Sequence, residues 1–329
     1  ALETVYKHPL RSEYTASEED INDAIHRIVP SEYKNTWQQL DNPLYAFKKI
    51  AKGPKIKKPK HIFFIVGESI PQWSLDETHK LLNICPGLWD FKSQPNTVQI
   101  PNFLPAGNVS RPSIVSLMSG VYDAGLELNE REQFWNGAFP TSFAYQMKQL
   151  GYQTIYWYGG NASYGNFNHF GKAQGFDRVE SASIFCGPDA PKTWVGVYDH
   201  IFLENMEQQI KALDTPTFHF IYTTSNHSPY KIEDSLLDYD PATVMPHVGE
   251  DLRSNKTRNK ELATYRYSDK ALFSFVDSMK KAYPDSLFII TGDHSNLFGS
   301  LNNTSLIHRD YTLRDTFCTV ALLQHPDLD

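Results

Sequence analysis

Cysteine is scarce in this chain, with only Cys85, Cys186 and Cys318 among 329 residues. Three cysteines without C-x-x-C spacing exclude a zinc-finger-type site and a disulfide framework, and allow one bridge at most. Long apolar runs are missing too. Nothing approaches the roughly 20 residues that cross a bilayer, and no secretory signal is visible. The sequence therefore reads as a soluble protein or the excised soluble part of a larger one. There is no surplus of positive charge either: the formal net charge is −7, which argues against a nucleic-acid partner. Internal repeats and low-complexity tracts are absent, which excludes solenoid and propeller architectures.

What remains is ordinary globular composition, 40% hydrophobic and 21% charged. Residues 1–58 are polar, with helical pieces expected at 18–28 and 43–51, and read as a lead-in rather than a domain. Lys48, Lys49, Lys52, Lys55, Lys57, Lys58 and Lys60 crowd its end. They form either a solvated linker or a segment lying against anionic lipid headgroups. From residue 59 the texture changes. Apolar β-rich runs at 61–66, 154–158, 217–223, 286–290 and 316–323 alternate with helical patterns at 141–150, 199–213 and 260–282. That alternation predicts an α/β fold with a mostly parallel central sheet and helices on both faces. Residues 229–258 form the longest irregular stretch, a polar insertion that is either a lid or a surface loop.

In open parallel sheets, chemistry collects beyond the carboxyl ends of the strands. The residues that end these runs are therefore informative: Glu68 after the first, His227 after the 217–223 run, and Asp293-His294 after 286–290. Ser110 joins them from a different direction. It precedes a run with helical apolar spacing, Ile114, Leu117 and Met118, and Pro112 suits a first helical turn. A serine there is either a helix cap or a nucleophile held where free N–H groups favour an anion. A carboxylate pair, an imidazole and a hydroxyl together suit a borderline divalent ion such as zinc or manganese.

Taken in order, these stretches resemble the alkaline phosphatase and sulfatase superfamily. They are most similar to its lipoteichoic acid synthase branch and to the phosphoethanolamine transferases. The resemblance rests on Val66-Gly67-Glu68-Ser69, Ser110-Arg111-Pro112-Ser113 with Leu117-Met118-Ser119-Gly120, Thr223-Thr224-Ser225-Asn226-His227-Ser228-Pro229-Tyr230 and Thr291-Gly292-Asp293-His294-Ser295. Tyr158-Gly159-Gly160-Asn161, Gly175-Phe176-Asp177 and Trp194-Val195-Gly196-Val197-Tyr198-Asp199 add to it.

The resemblance implies a sulfatase-like catalytic domain over 59–329, behind a membrane-proximal connector at 1–58. It implies that Glu68, Ser110, Asp293 and His294 hold one divalent ion, manganese or zinc first and magnesium or calcium as alternatives. Ser110 would be the nucleophile, and His227 would contact phosphate or protonate a leaving group. Arg111, Asn161, Trp194, Asp199 and His308 become candidate substrate contacts. The implied activity is transfer of a phosphoglycerol- or phosphoethanolamine-type group from a phospholipid to an envelope glycan or lipid acceptor. The alternatives are a phosphodiesterase, phosphatase or sulfatase-like hydrolase at the same site, or a degenerate binding domain. Ile114 stands where a sulfatase signature places arginine, which disfavours formylglycine maturation. The branch also carries phosphoglycerol-gripping residues where this chain has Tyr158-Gly159-Gly160 and Gly165-Asn166-Phe167, so the substrate grip differs. Relatives of this kind sit outside the cell behind membrane helices, which implies a bacterial envelope location. The acceptor-like sequences at Asn108 and Asn226, beside the proposed catalytic residues, fit a host that does not glycosylate.

Overall fold

The computed structural model describes residues 17–40, 53–240, 254–296 and 312–328. These fall into two compact units, Ala1–Pro54 and Lys55–Asp329. In the first, helix α1 (Glu18–Ile28) starts with a reciprocal capping box between Ser17 and Asp20. Val29 and Trp37 form its small core. The helical piece expected at 43–51, with Lys48, Lys49 and Lys52, lies outside the described residues, as does His308.

The second unit is built on β1 (His61–Gly67), every residue of which is buried. Then come α2 (Pro86–Ser93), β2 (Thr97–Gln99), α3 (Ser110–Ser119), α4 (Phe143–Gln149), β3 (Gln153–Tyr158), α5 (Phe167–Ala173), β4 (Arg178–Ser181) and α6 (Ala182–Phe185). The chain continues through α7 (Asp199–Lys211), β5 (Thr217–Tyr222), α8 (Lys256–Ala282), β6 (Leu287–Gly292), α9 (Leu313–Phe317) and β7 (Ala321–Gln324). Among the described residues, the seven strands form one sheet in the order β2-β7-β6-β1-β5-β3-β4. Pairing is parallel from β6 through β1, β5 and β3 to β4, while β7 runs antiparallel to β6 and β2.

Period-two alternation sends β1 to both faces at once. Phe63 and Ile65 pack with α2, α7 and α8, while Ile62, Phe64 and Val66 pack with α3, α4 and α5. A polar chain crosses the first of these cores. Trp157 Nε1 donates to His219 Nδ1 at 3.1 Å, and His219 Nε2 lies 3.1 Å from His61 Nδ1. The indole can only donate, so Nδ1 of His219 accepts and its Nε2 carries the proton passed on to His61.

One expected element is corrected. The strand predicted over 316–323 begins only at Ala321, and residues 313–317 are helical. Thr312 and Asp315 form a second capping box, and its reciprocal bonds start a helix that outweighs the β-branched composition. Cys85, Cys186 and Cys318 are all free thiols.

Candidate active site

The carboxyl ends of three neighbouring strands meet at one point, as the strand order β6-β1-β5 dictates. β1 delivers Glu68, β6 delivers Asp293 and His294, and β5 delivers Tyr222 and, just beyond it, Asn226 and His227. Helix α3 approaches from the side with Ser110 as its first residue. The cap position belongs to Val109, which makes no side-chain cap bond. The Ser110 hydroxyl is therefore not occupied by its own helix. It lies 3.4 Å from Glu68 Oε2 and 3.3 Å from His294 Nε2.

Backbone geometry fixes the carboxylates. Ser69 adopts φ 54°, a left-handed turn that reverses the chain directly after Glu68. From there its N–H donates to Asp293 Oδ1 at 2.8 Å and its hydroxyl to Glu68 Oε1 at 2.8 Å. Asp293 Oδ1 also accepts the N–H of His294 at 2.8 Å. Gly292 lets this chain pass close to its neighbour, since a Cβ there would come 2.4 Å from the Ile70 carbonyl oxygen. Asn226 supports the β1 end by donating to the Glu68 carbonyl at 3.2 Å.

The electrostatics are those of two carboxylates out of water, Glu68 2% and Asp293 0% exposed. Burial and the adjacent Glu68 charge push Asp293 up to about 6. Burial works against the Glu68 charge as well, but the hydrogen bond and charge of His294 hold its carboxyl below the ordinary value. Burial likewise opposes a charged His294. The Glu68 bond and both carboxylate charges outweigh it and push His294 up to about 9. His294 Nε2 sits 3.6 Å from Glu68 Oε1 and 3.5 Å from Asp293 Oδ2, while its Nδ1 donates to the Ser295 carbonyl at 2.9 Å. That second bond leaves Nε2 facing the carboxylates, the arrangement a metal-ligating histidine takes. One ligand atom from each of Glu68, Asp293 and His294 lies within 4.8 Å of the others. Two buried oxygens carrying excess negative charge, an imidazole nitrogen and a nearby hydroxyl are a donor set that fits a divalent cation.

The remaining predicted residues divide. His227 is half-buried near this point, and its Nδ1 donates to the Ser228 carbonyl at 2.6 Å, leaving Nε2 open. Trp194, 69% exposed, stands against it with ring centroids 5.1 Å apart and donates to the same Ser228 carbonyl at 3.0 Å. Arg111 is at the rim, paired with Glu130 at 3.1 Å and bonded to the Tyr164 hydroxyl at 3.3 Å. Asn161 is exposed and folds back on Ser163 in a local turn. Asp199 corrects its expectation as a substrate contact. It is 1% exposed, and its Oδ1 accepts the N–H groups of Thr224 and Ser225 at 3.1 Å, so it braces the loop that leads to His227.

Tyr222 was not among the predicted residues. Its hydroxyl donates to Glu68 Oε2 at 2.7 Å and faces Asp293 Oδ2 at 3.1 Å. The available signal was a tyrosine at the carboxyl end of an otherwise apolar strand.

A family model described as Sulfatase matches residues 60–315. Among curated proteins, the chain is 27% identical over 152 residues to lipoteichoic acid synthase-like YvgJ of Bacillus subtilis, covering 45% of this chain and 23% of that protein. Among solved structures it is similar to the lipoteichoic acid synthase LtaP from Listeria monocytogenes, with a TM-score of 0.66 and 17% identity over 84% of this chain and 69% of that one. It is also similar to the C-terminal periplasmic domain of EcEptC from Escherichia coli, solved as a complex with Zn. There the TM-score is 0.61 and the identity 16%, over 83% of this chain and 75% of that one.

Proposed function

Because the chain belongs to the sulfatase family, we propose that it is a metal-dependent phosphotransferase working through a phosphorylated Ser110. The observation that carries this reading is the convergence of the Ser110 hydroxyl with Glu68, Asp293 and His294. A serine that merely started a helix would have no reason to face two buried carboxylates and a half-buried imidazole from two other elements. Glu68, Ser110, Asp293 and His294 would hold one divalent ion, with zinc or manganese suiting the donors. Bound there, the ion lowers the pKa of the serine hydroxyl and neutralises charge on phosphorus.

The chain's own groups supply the rest. Ser110 opens α3, so the unpaired N–H groups of that helix face an incoming phosphate anion. The Ser110 oxygen forms a bond to phosphorus as the bond to the donor's alcohol breaks. The serine proton leaves to solvent, and the departing alkoxide takes a proton from Nε2 of His227 in its imidazolium form. An acceptor hydroxyl then gives its proton to His227 Nε2 and attacks phosphorus as the bond to the Ser110 oxygen breaks, and that oxygen regains a proton from solvent. Trp194 stands edge to face against that imidazole.

A lipid donor is supported by a cleft of about 220 Å³ along α3, walled by Phe103, Leu104, Leu117, Val121 and Tyr122. Ser113 lines it, one turn beyond Ser110, and Gly292, next to Asp293, lies at its wall. Leu104 and Tyr122 leave apolar surface open at 66% and 68% exposure. Such a trough beside a phosphate site fits a phosphoglycerol- or phosphoethanolamine-bearing lipid with its tail alongside the helix. The acceptor would be an envelope glycan or lipid. The chain would be the extracytoplasmic part of a membrane-anchored protein, with residues 1–58 as connector.

The test is turnover of a phospholipid donor by wild type and Ser110→Ala, with and without a candidate acceptor. The expected result is diacylglycerol release that depends on the acceptor and falls on the order of a thousandfold or more in the variant. Release of equal amounts without acceptor would assign the site to hydrolysis. An unchanged rate in Ser110→Ala would remove the nucleophile from this reading.

A further inference from the structure

Resting on the cation centre proposed above, we propose that the Tyr222 hydroxyl is a positioning group that holds Glu68 and Asp293 in ligand geometry and so sets how tightly the ion binds. Each carboxylate has one oxygen tied locally. Glu68 Oε1 takes the Ser69 hydroxyl, and Asp293 Oδ1 takes the backbone N–H groups of Ser69 and His294. The second oxygens, Glu68 Oε2 and Asp293 Oδ2, come from different strands, and both turn to the Tyr222 hydroxyl at 2.7 and 3.1 Å. A phenol keeps its proton at neutral pH, so this hydroxyl is a donor lodged between two buried anions that would otherwise repel.

The phenol is itself held in place. Tyr222 lies opposite Tyr158 in the β3–β5 register, and their rings stack at 5.3 Å with planes 2° apart. Gly160 leaves room for that partner, since a Cβ there would come 2.9 Å from the Tyr158 hydroxyl. The ring stack fixes the plane, the strand fixes the height, and the hydroxyl has little freedom left. A rigid outer donor of this kind orients ligands before an ion arrives and raises affinity without touching the ion.

Manganese titration calorimetry on the chelator-stripped full chain tests the assignment, using wild type, Tyr222→Phe, Tyr158→Phe and Asp293→Asn. Tyr222→Phe keeps the ring stack and loses only the donor, so Mn²⁺ affinity is expected to drop by roughly ten- to a hundredfold. Tyr158→Phe, which removes a hydroxyl from the same stack, is expected to match wild type, and Asp293→Asn to abolish binding. Wild-type affinity in Tyr222→Phe overturns the proposal while leaving the cation centre intact. No Mn²⁺ uptake by wild type, or full uptake by Asp293→Asn, overturns both. Should Tyr222→Phe not fold, tyrosine difference absorbance during Mn²⁺ titration of wild type and Tyr158→Phe decides. A change shared by both supports Tyr222, and its absence overturns the assignment.

Discussion

At the scale of single residues, Asp293 is fully buried beside the Glu68 carboxylate, where on the reading proposed above it serves an ion and not the core. Burial and the Glu68 charge push it up to about 6, so its ionised form is strained in the metal-free protein. Asp293→Asn should therefore leave the metal-free melting temperature equal or slightly higher. Its activity should fall by more than roughly a hundredfold, the upper end for losing a group that only supports a ligand. Parallel melting curves and initial rates check this, and an equal loss of both would place the residue among the structural ones. Glu68, His227, Asp293 and His294 were legible in sequence because each is a polar residue ending an apolar run. Tyr222 was hidden by the same logic. In alternation with Phe218 and Phe220 it reads as core, and only the register of β5 against β1 brings its hydroxyl to the carboxylates. Asp199 was misplaced because nothing in a sequence separates a carboxylate that faces a cleft from one that accepts two backbone N–H groups inside.

Elements were readable in proportion to their length. The helix expected over 260–282 and the central strands are long and periodic enough to show, whereas β2 and β4 have too few residues to display alternation. The strand misread over 316–323 shows a local signal defeating composition, since a cap from Thr312 and Asp315 decides the conformation before side-chain preference acts. The element that most depends on close approach is the end of β6. Gly292→Ala would drive a methyl group into the Ile70 backbone, where no rotamer change gives relief. It should cost about 1–3 kcal/mol by urea unfolding. It should also weaken metal uptake, because Asp293 is the next residue. Full stability in that variant would show that β1 and β6 can separate at this end.

For the molecule as a whole, the chain from Trp157 through His219 to His61 ties acid stability to the sheet. Burial, with the nearby Lys60 charge, holds His61 down at about 4, and burial together with the neighbouring His61 and Arg178 charges holds His219 well below its ordinary value. The unfolded chain binds these protons below about 6.5 and the folded chain does not. The contribution of these two imidazoles is accordingly complete above that pH and is lost as the pH drops toward 4. Melting temperatures across that window should show the fall, and His219→Phe should flatten it. A flat wild-type curve would mean that the imidazoles take up protons without unfolding.

Three strands paired side by side each hand one part of the site to the same point. A slip of one rung between any two would carry its residue about 3.3 Å away, well beyond coordination distance. An ion seated there would act as a gauge of correct threading, stabilising only chains whose central sheet is in register. Refolding yield with and without manganese would then report on assembly of the central sheet as directly as on catalysis.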